Sequence, residues 1–136
     1  MNEVFVSILK TSKAIQDFLK QFLREFALTT TEFAVLEVLY EHGKQTVHQI
    51  AGKVYLATGS MTYVIDKLVE KGYVMRSDCK EDRRVVHVEM AAEGQRLMND
   101  LYPSYKNAIE ALFEEVTKSE MNSTASALAK IQLKTK

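Results

Sequence analysis

The chain has one cysteine, one proline, no tryptophan and five glycines in 136 residues. A lone thiol, Cys79, excludes an intramolecular disulfide framework and a structural zinc site made of several cysteines. The histidines His42, His48 and His87 lack the tight spacing of a metal motif, so no metal or other cofactor is expected. No apolar run approaches the roughly eighteen residues of a membrane-spanning helix. The opening MNEVFVSILK has no basic stretch leading into a continuous apolar core, which predicts no signal peptide and a cytoplasmic location. No nucleophile–base set or glycine-rich phosphate loop is visible, and Ser60 with a distant histidine makes no triad. An enzyme is therefore not expected.

Net charge is also absent, with 18 Lys+Arg against 18 Asp+Glu. The distribution is less even. Residues 1–50 hold five basic and six acidic side chains, residues 51–84 seven and five, and residues 85–136 six and seven. Only the middle segment is net positive, a weak footprint for nucleic acid that duplication in a dimer would strengthen.

What the chain does have is helical periodicity. The length predicts one domain, and 46% hydrophobic content is ordinary for a globular core. Val4, Ile8, Ile15, Leu19, Phe22 and Phe26 predict a long amphipathic helix over 3–26. That stripe is more than a small domain covers alone, and part of it suits a second subunit. Thr30 or Thr31 can cap a second helix running to about Glu41, with Phe33, Leu36, Leu39 and Tyr40 inward and Gly43 beyond its end. After Pro103, expected to bend or perturb a helix over 92–116, a last helix is predicted to start near Ser119.

The stretch from Thr46 to Met90 carries the functional signal. Thr46 can cap a short helix to about Lys53, and a second helix is predicted from about Ala57 to Lys71, with Met61, Val64, Ile65 and Leu68 inward. Its other face shows Thr58, Gly59, Ser60, Thr62, Tyr63 and Lys67. Two strands, Tyr73–Arg76 and Val85–Met90, flank a charged tip and predict a β-hairpin placed as a wing.

These residues resemble the MarR family of winged helix-turn-helix transcriptional regulators. The resemblance rests on Asp82-Arg83-Arg84 followed by a strand and Glu93-Gly94. It rests also on Ser60-Met61-Thr62 through Ile65-Asp66-Lys67-Leu68 to Lys71-Gly72-Tyr73-Val74, and on Leu28-Thr29-Thr30-Thr31-Glu32-Phe33. It implies a mainly α fold with a small β-hairpin wing, residues 28–90 forming the winged helix-turn-helix and residues 1–27 and 91–136 supplying dimerisation helices. It further implies a homodimer that binds a pseudo-palindromic operator on double-stranded DNA, usually as a repressor, with recognition helices in successive major grooves. The chain departs from the family at Cys79 and Lys80, where Asp-Pro is common, at Ala91, where a threonine usually caps the next helix, and at Tyr63, where arginine is frequent. Leu56-Ala57-Thr58-Gly59-Ser60 with Thr62-Tyr63-Val64 is similar to the subgroup that represses quinone and catechol detoxification genes, which implies a small phenolic or quinone-like effector.

The expected DNA contacts are Thr58, Gly59, Ser60, Thr62, Tyr63, Lys67, Lys80, Arg83 and Arg84. Hydroxyls contact phosphates or base edges. Arg83 is assigned to the minor groove, whose narrow A·T stretches favour inserted arginine. Arg84 is assigned to an ion pair with Asp66 that locks wing to helix, and the two roles are interchangeable at this level. A ligand pocket is expected among Phe5, Phe18, Phe33, Tyr40 and Tyr105, although packed core or dimer interface explains each of them singly. Cys79 is a possible redox site, its thiolate favoured by Lys80 and Arg83 and opposed by Asp78, Glu81 and Asp82. Two other readings remain open: a winged-helix dimer acting as a protein-interaction module, and thiol-based peroxide chemistry at Cys79.

Overall fold

The computed structural model describes residues 1–55 and 59–136. The chain forms two compact units, residues 1–101 and 102–136. In the first unit, α1 (Glu3–Arg24) begins at Asn2, whose side chain accepts from the Val4 and Phe5 amides at 2.8 and 3.1 Å. It closes through Leu28 N–H to Leu23 O and Ala27 N–H to Arg24 O, with Ala27 in the left-handed region at φ 54°. α2 (Thr30–His42) is capped by Thr29, not by Thr30 or Thr31. A capping box needs Glu or Gln three residues on, and among the three threonines only Thr29 meets that condition, with Glu32.

β1 (Gln45–Thr46) precedes α3 (Val47–Lys53), which Thr46 caps as expected, with Gln49 completing the box. α4 (Met61–Glu70) follows, then β2 (Val74–Asp78), β3 (Val86–Met90) and α5 (Ala92–Leu112). The sheet is antiparallel in the order β1-β3-β2; Arg76 lies opposite Val88, and Thr46 opposite His87. The two-residue β1 carries no periodic signal and was not expected from sequence. The wing hairpin was expected, and its first strand runs two residues further than predicted.

The core of this unit is Leu36, Ile50, Ile65, Leu68, Val88, Met98 and Leu101, all fully buried. α2 packs against α1, α3, α4 and β3, so the helix that presents outward, α4, is seated on a central helix and joined directly to the wing. Ala91 supplies no side-chain cap to α5; its amide instead donates to Tyr73 O at 2.9 Å, and its carbonyl accepts from Gln95. The helix continues through Pro103.

In the second unit, Tyr102 and Tyr105 stack with ring centroids 5.8 Å apart. α6 (Lys118–Lys134) is capped by Thr117 with Glu120, two residues before the expected Ser119. Leu112, Phe113, Val116, Met121, Ile131 and Leu133 are all exposed.

Candidate nucleic-acid interface

α4 has two faces set by its periodicity. Val64, Ile65 and Leu68 are buried, while Thr62 and Tyr63 point outward, Tyr63 with 60% of its surface exposed. Lys67 Nζ stands 5.3 Å from the Tyr63 ring centroid, within cation–π range, and 3.4 Å from Glu70. The Glu70 carboxylate first, and the Tyr63 side chain second, hold the Lys67 ammonium above its ordinary value.

The helix begins later than the sequence suggested, at Met61 rather than about Ala57. Gly59 occupies the left-handed region at φ 86°, and Ser60 is the cap, its hydroxyl accepting from the Tyr63 amide at 3.3 Å. Gly59 and Ser60 therefore belong to the entry to the helix rather than to its face. Thr58, with Leu56 and Ala57, lies outside the described residues.

The wing is braced to α4, but through a different arginine from the one assigned. Arg76, on β2, pairs with Asp66 and donates from a second nitrogen to Thr62 O at 3.3 Å. Arg84 instead forms a two-pronged pair with Asp82, Nε to Oδ1 at 3.1 Å and a terminal nitrogen to Oδ2 at 3.2 Å. The reason is reach. β2 leaves α4 through Gly72, so Arg76 returns alongside Asp66. Each further strand residue adds about 3.3 Å, and Arg84 lies beyond the end of β2 in the tip. No feature of the sequence separates Arg76 from Arg84 as the partner; strand register decides.

The tip is itself ordered by Asp82. Its carboxylate also accepts from the Arg84 amide at 3.0 Å, and its carbonyl accepts from Val85 N–H at 3.0 Å. Hydrogen bonds from the Arg84 side chain, then its backbone, hold the Asp82 carboxyl below the usual carboxylate range. Arg83 and Lys80 are exposed. Cys79 is half-buried at the base of this loop, its amide donating to Val85 O at 3.0 Å.

The expected pocket residues fall in different settings. Phe33 belongs to the buried core, Phe5 is 52% exposed on α1, and Tyr40 donates its hydroxyl to Asn99 at 3.0 Å. Phe18 lines a depression of about 310 Å³ with Gln21, Phe22, Arg24 and Glu25. Tyr105 lies in the second unit, stacked on Tyr102. Among the described residues no group of three or more His, Cys, Asp or Glu is placed to hold a metal ion, and no helix is long and apolar enough to cross a membrane.

Comparison with known proteins joins these observations. Residues 28–86 match the MarR family. The chain is 33% identical over 134 residues to the HTH-type transcriptional regulator MhqR of Bacillus subtilis (strain 168), covering 98% of this chain and 92% of that protein. Its fold is similar to that of NadR in complex with 4-hydroxyphenylacetate (TM-score 0.76, 19% identity, 96% of this chain and 93% of that one). It is also similar to reduced AbfR bound to DNA (TM-score 0.77, 19% identity, 99% and 93%). An outward-facing helix that follows a short capped helix, is seated on α2 and is braced to an arginine-tipped hairpin makes a winged helix, and with that kinship the chain belongs to the MarR family of DNA-binding transcriptional regulators.

Proposed function

We propose that the protein is a homodimeric repressor that binds a pseudo-palindromic operator and is released by a small hydroxylated aromatic or quinone-like compound. The observation that carries the reading is the brace from Arg76 to Asp66 and the Thr62 carbonyl, which ties the exposed Thr62–Tyr63 face to the wing so that both meet a duplex together. In this reading Thr62 and Tyr63 read the major groove by hydroxyl and by apolar contact with thymine methyls. Gly59 and Ser60, at the entry to the helix, approach the backbone, Thr58 is a further DNA contact, and Lys67 and Lys80 meet phosphates. Asp82 and Arg84 neutralise each other, which leaves Lys80 and Arg83 against Glu81 and the tip net positive by one, and the exposed Arg83 suits a narrow minor groove. Arg84 keeps an outer edge for a phosphate.

The dimer is supported by the apolar residues left exposed in both terminal regions, Val4, Phe5 and Leu9 in one and Leu112, Phe113 and Ile131 in the other. The effector class is supported by the fold shared with NadR and by the Phe18 depression. Its volume is near the lower limit of about 300 Å³ for small-molecule sites, and it offers two rings, Phe18 and Phe22, for an aromatic, with Arg24 and Glu25 both at its polar side. Such a compound releases DNA only to the extent that it binds the DNA-free state more tightly. Oxidation of the half-buried Cys79, in the loop closed by the Cys79–Val85 backbone hydrogen bond, is the other releasing signal. A cytoplasmic location goes with this reading, because the proposed ligand is operator DNA.

The test is binding to DNA from upstream of the protein's own gene, across a salt series, with 4-hydroxyphenylacetate, catechol, benzoquinone and hydrogen peroxide as titrants. The expected result is two chains per duplex, with Arg83→Ala weakening binding by about 1–3 kcal/mol and at least one titrant releasing the DNA. Full, salt-dependent affinity in Arg83→Ala would remove the wing assignment. One chain per site would remove the dimer, and release by no titrant would remove the effector class and the thiol together.

A further inference from the structure

We infer that Lys71 is a positioning residue for DNA recognition, a latch that fixes the C-terminal end of α4 to the corner between α1 and α2. The inference rests on the operator-binding reading above and adds what sets the attitude of the reading helix.

Lys71 ends α4, and its ammonium is fully engaged. Nζ donates to Ala27 O at 2.8 Å and to Glu32 Oε1 at 3.0 Å, and lies 2.9 Å from Glu32 Oε2. The Glu32 side chain is only 6% exposed, and the same carboxylate accepts from the Thr29 amide at 2.9 Å to complete the cap of α2. One buried carboxylate thus serves the start of α2 and the end of α4 at once. The third partner is equally local in purpose. Ala27 takes the left-handed conformation that closes α1, and its carbonyl is an acceptor for Lys71.

A buried carboxylate that lost its cation would be costly to the fold, so the pair resists opening. It is also distinct from the lysine at the outward face. Lys67 lies over Tyr63 and beside an exposed carboxylate, whereas Lys71, with a side chain still 35% exposed, spends its ammonium on Ala27 O and the buried Glu32 carboxylate. Arg76 clamps the first turns of α4 to the wing, and Lys71 clamps the last turn to α1 and α2. Ten residues of helix span about 15 Å, so a displacement of an ångström at the latched end tilts the Tyr63 face relative to a groove it must fit. In a two-fold dimer the same tilt changes the spacing of the two reading helices.

The test uses a duplex selected from a random pool by the wild-type protein, and the same duplex lengthened by one central base pair. Lys71→Met keeps the apolar stem and removes the charge; Lys71→Arg keeps both. The expected result is that Lys71→Met, still folded at the assay temperature, binds the selected duplex about tenfold more weakly. The slope of log affinity against log salt stays unchanged, and discrimination between the two duplexes narrows. Lys71→Arg restores binding. A slope shallower by about one would make Lys71 a direct phosphate contact instead. A lowered melting temperature with unchanged affinity and discrimination would reduce it to structural support. If Lys71→Met does not fold, Glu32→Gln, which keeps an oxygen for the Thr29 amide, carries the same measurements with the same outcomes. A wild type that selects no sequence removes the operator-binding reading and this inference with it; a wild type that selects one, matched by Lys71→Met, removes the latch alone.

Discussion

Two helical glycines in this chain should respond to alanine with opposite signs. Gly94 is buried in the first turn of α5, against the junction of α4 and β2. A Cβ built there would lie 2.8 Å from Met90 Sδ, 3.0 Å from the Tyr73 carbonyl carbon, and closer still to the Tyr73 carbonyl oxygen. The Met90 thioether can swing aside. The carbonyl cannot, because Tyr73 N–H is tied to Leu68 O at 3.0 Å and Tyr73 O accepts from Ala91 N–H at 2.9 Å. Alanine must therefore push α5 off the junction. Overpacking of this kind costs about 1–3 kcal/mol, and weakening the Ala91 bond adds about 1 kcal/mol. The better helix propensity of alanine returns about 1 kcal/mol. The net loss is about 1–3 kcal/mol, or roughly 10 °C in melting temperature at the middle of that range for a unit of this size. Gly52, in α3, has nothing within 4 Å of its Cβ position and no positive φ. Alanine there should stabilise by about 0.4–1 kcal/mol, chiefly by restricting the unfolded chain. Thermal unfolding followed by far-UV circular dichroism, at one protein concentration because association shifts apparent stability, measures both. A Gly94→Ala protein melting with the wild type would refute the close approach of α5 to Tyr73, and a destabilised Gly52→Ala would refute the open face at α3.

Ala27→Gly should stabilise by about 0.5–1 kcal/mol in the same assay, because the left-handed conformation strains a residue with a Cβ and Lys71 needs only the carbonyl. Arg76→Met should change stability by less than about 1 kcal/mol, as expected for a partly exposed pair, yet weaken operator binding several-fold in a filter or anisotropy titration; equal affinity would show that the brace is idle. The Asp82 carboxyl is held below its ordinary value by Arg84. The ordering it gives the wing tip is therefore complete above the unfolded value of about 3.9 and is lost as pH falls through the lower folded value. The Arg84 side-chain nitrogen resonances should stay constant from about pH 8 to pH 5 and move only in stronger acid, and a step near neutrality would contradict the pairing.

Where the chain was legible, the signal was local. The apolar spacing of α1, α2 and α4 and the threonine that starts α3 are set by neighbours within one or two turns, so a linear reading finds them. The caps of α2 and α6 were legible in kind but not in place: Thr29 and Thr117 win over nearby threonine and serine because a glutamate stands three residues on. Ion pairs were not legible, since Asp66 had three arginines within plausible reach and only register assigns it to Arg76. The Lys71–Glu32 latch joins residues 39 apart and has no linear signal at all. The start of α4 bears most on function. Gly59 takes a left-handed turn and Ser60 gives its hydroxyl oxygen to the Tyr63 amide, so the run of hydroxyls divides into a capping part and a reading part. Under the proposed function, direct base recognition by the helix face then falls chiefly to Thr62 and Tyr63. A tyrosine steadied by Lys67, in place of the arginine that the family resemblance leads one to expect, would favour thymine methyls over the guanine edge that arginine reads. The sequence preference of the operator should follow that exchange, with guanine at the position facing Tyr63 selected no more often than chance.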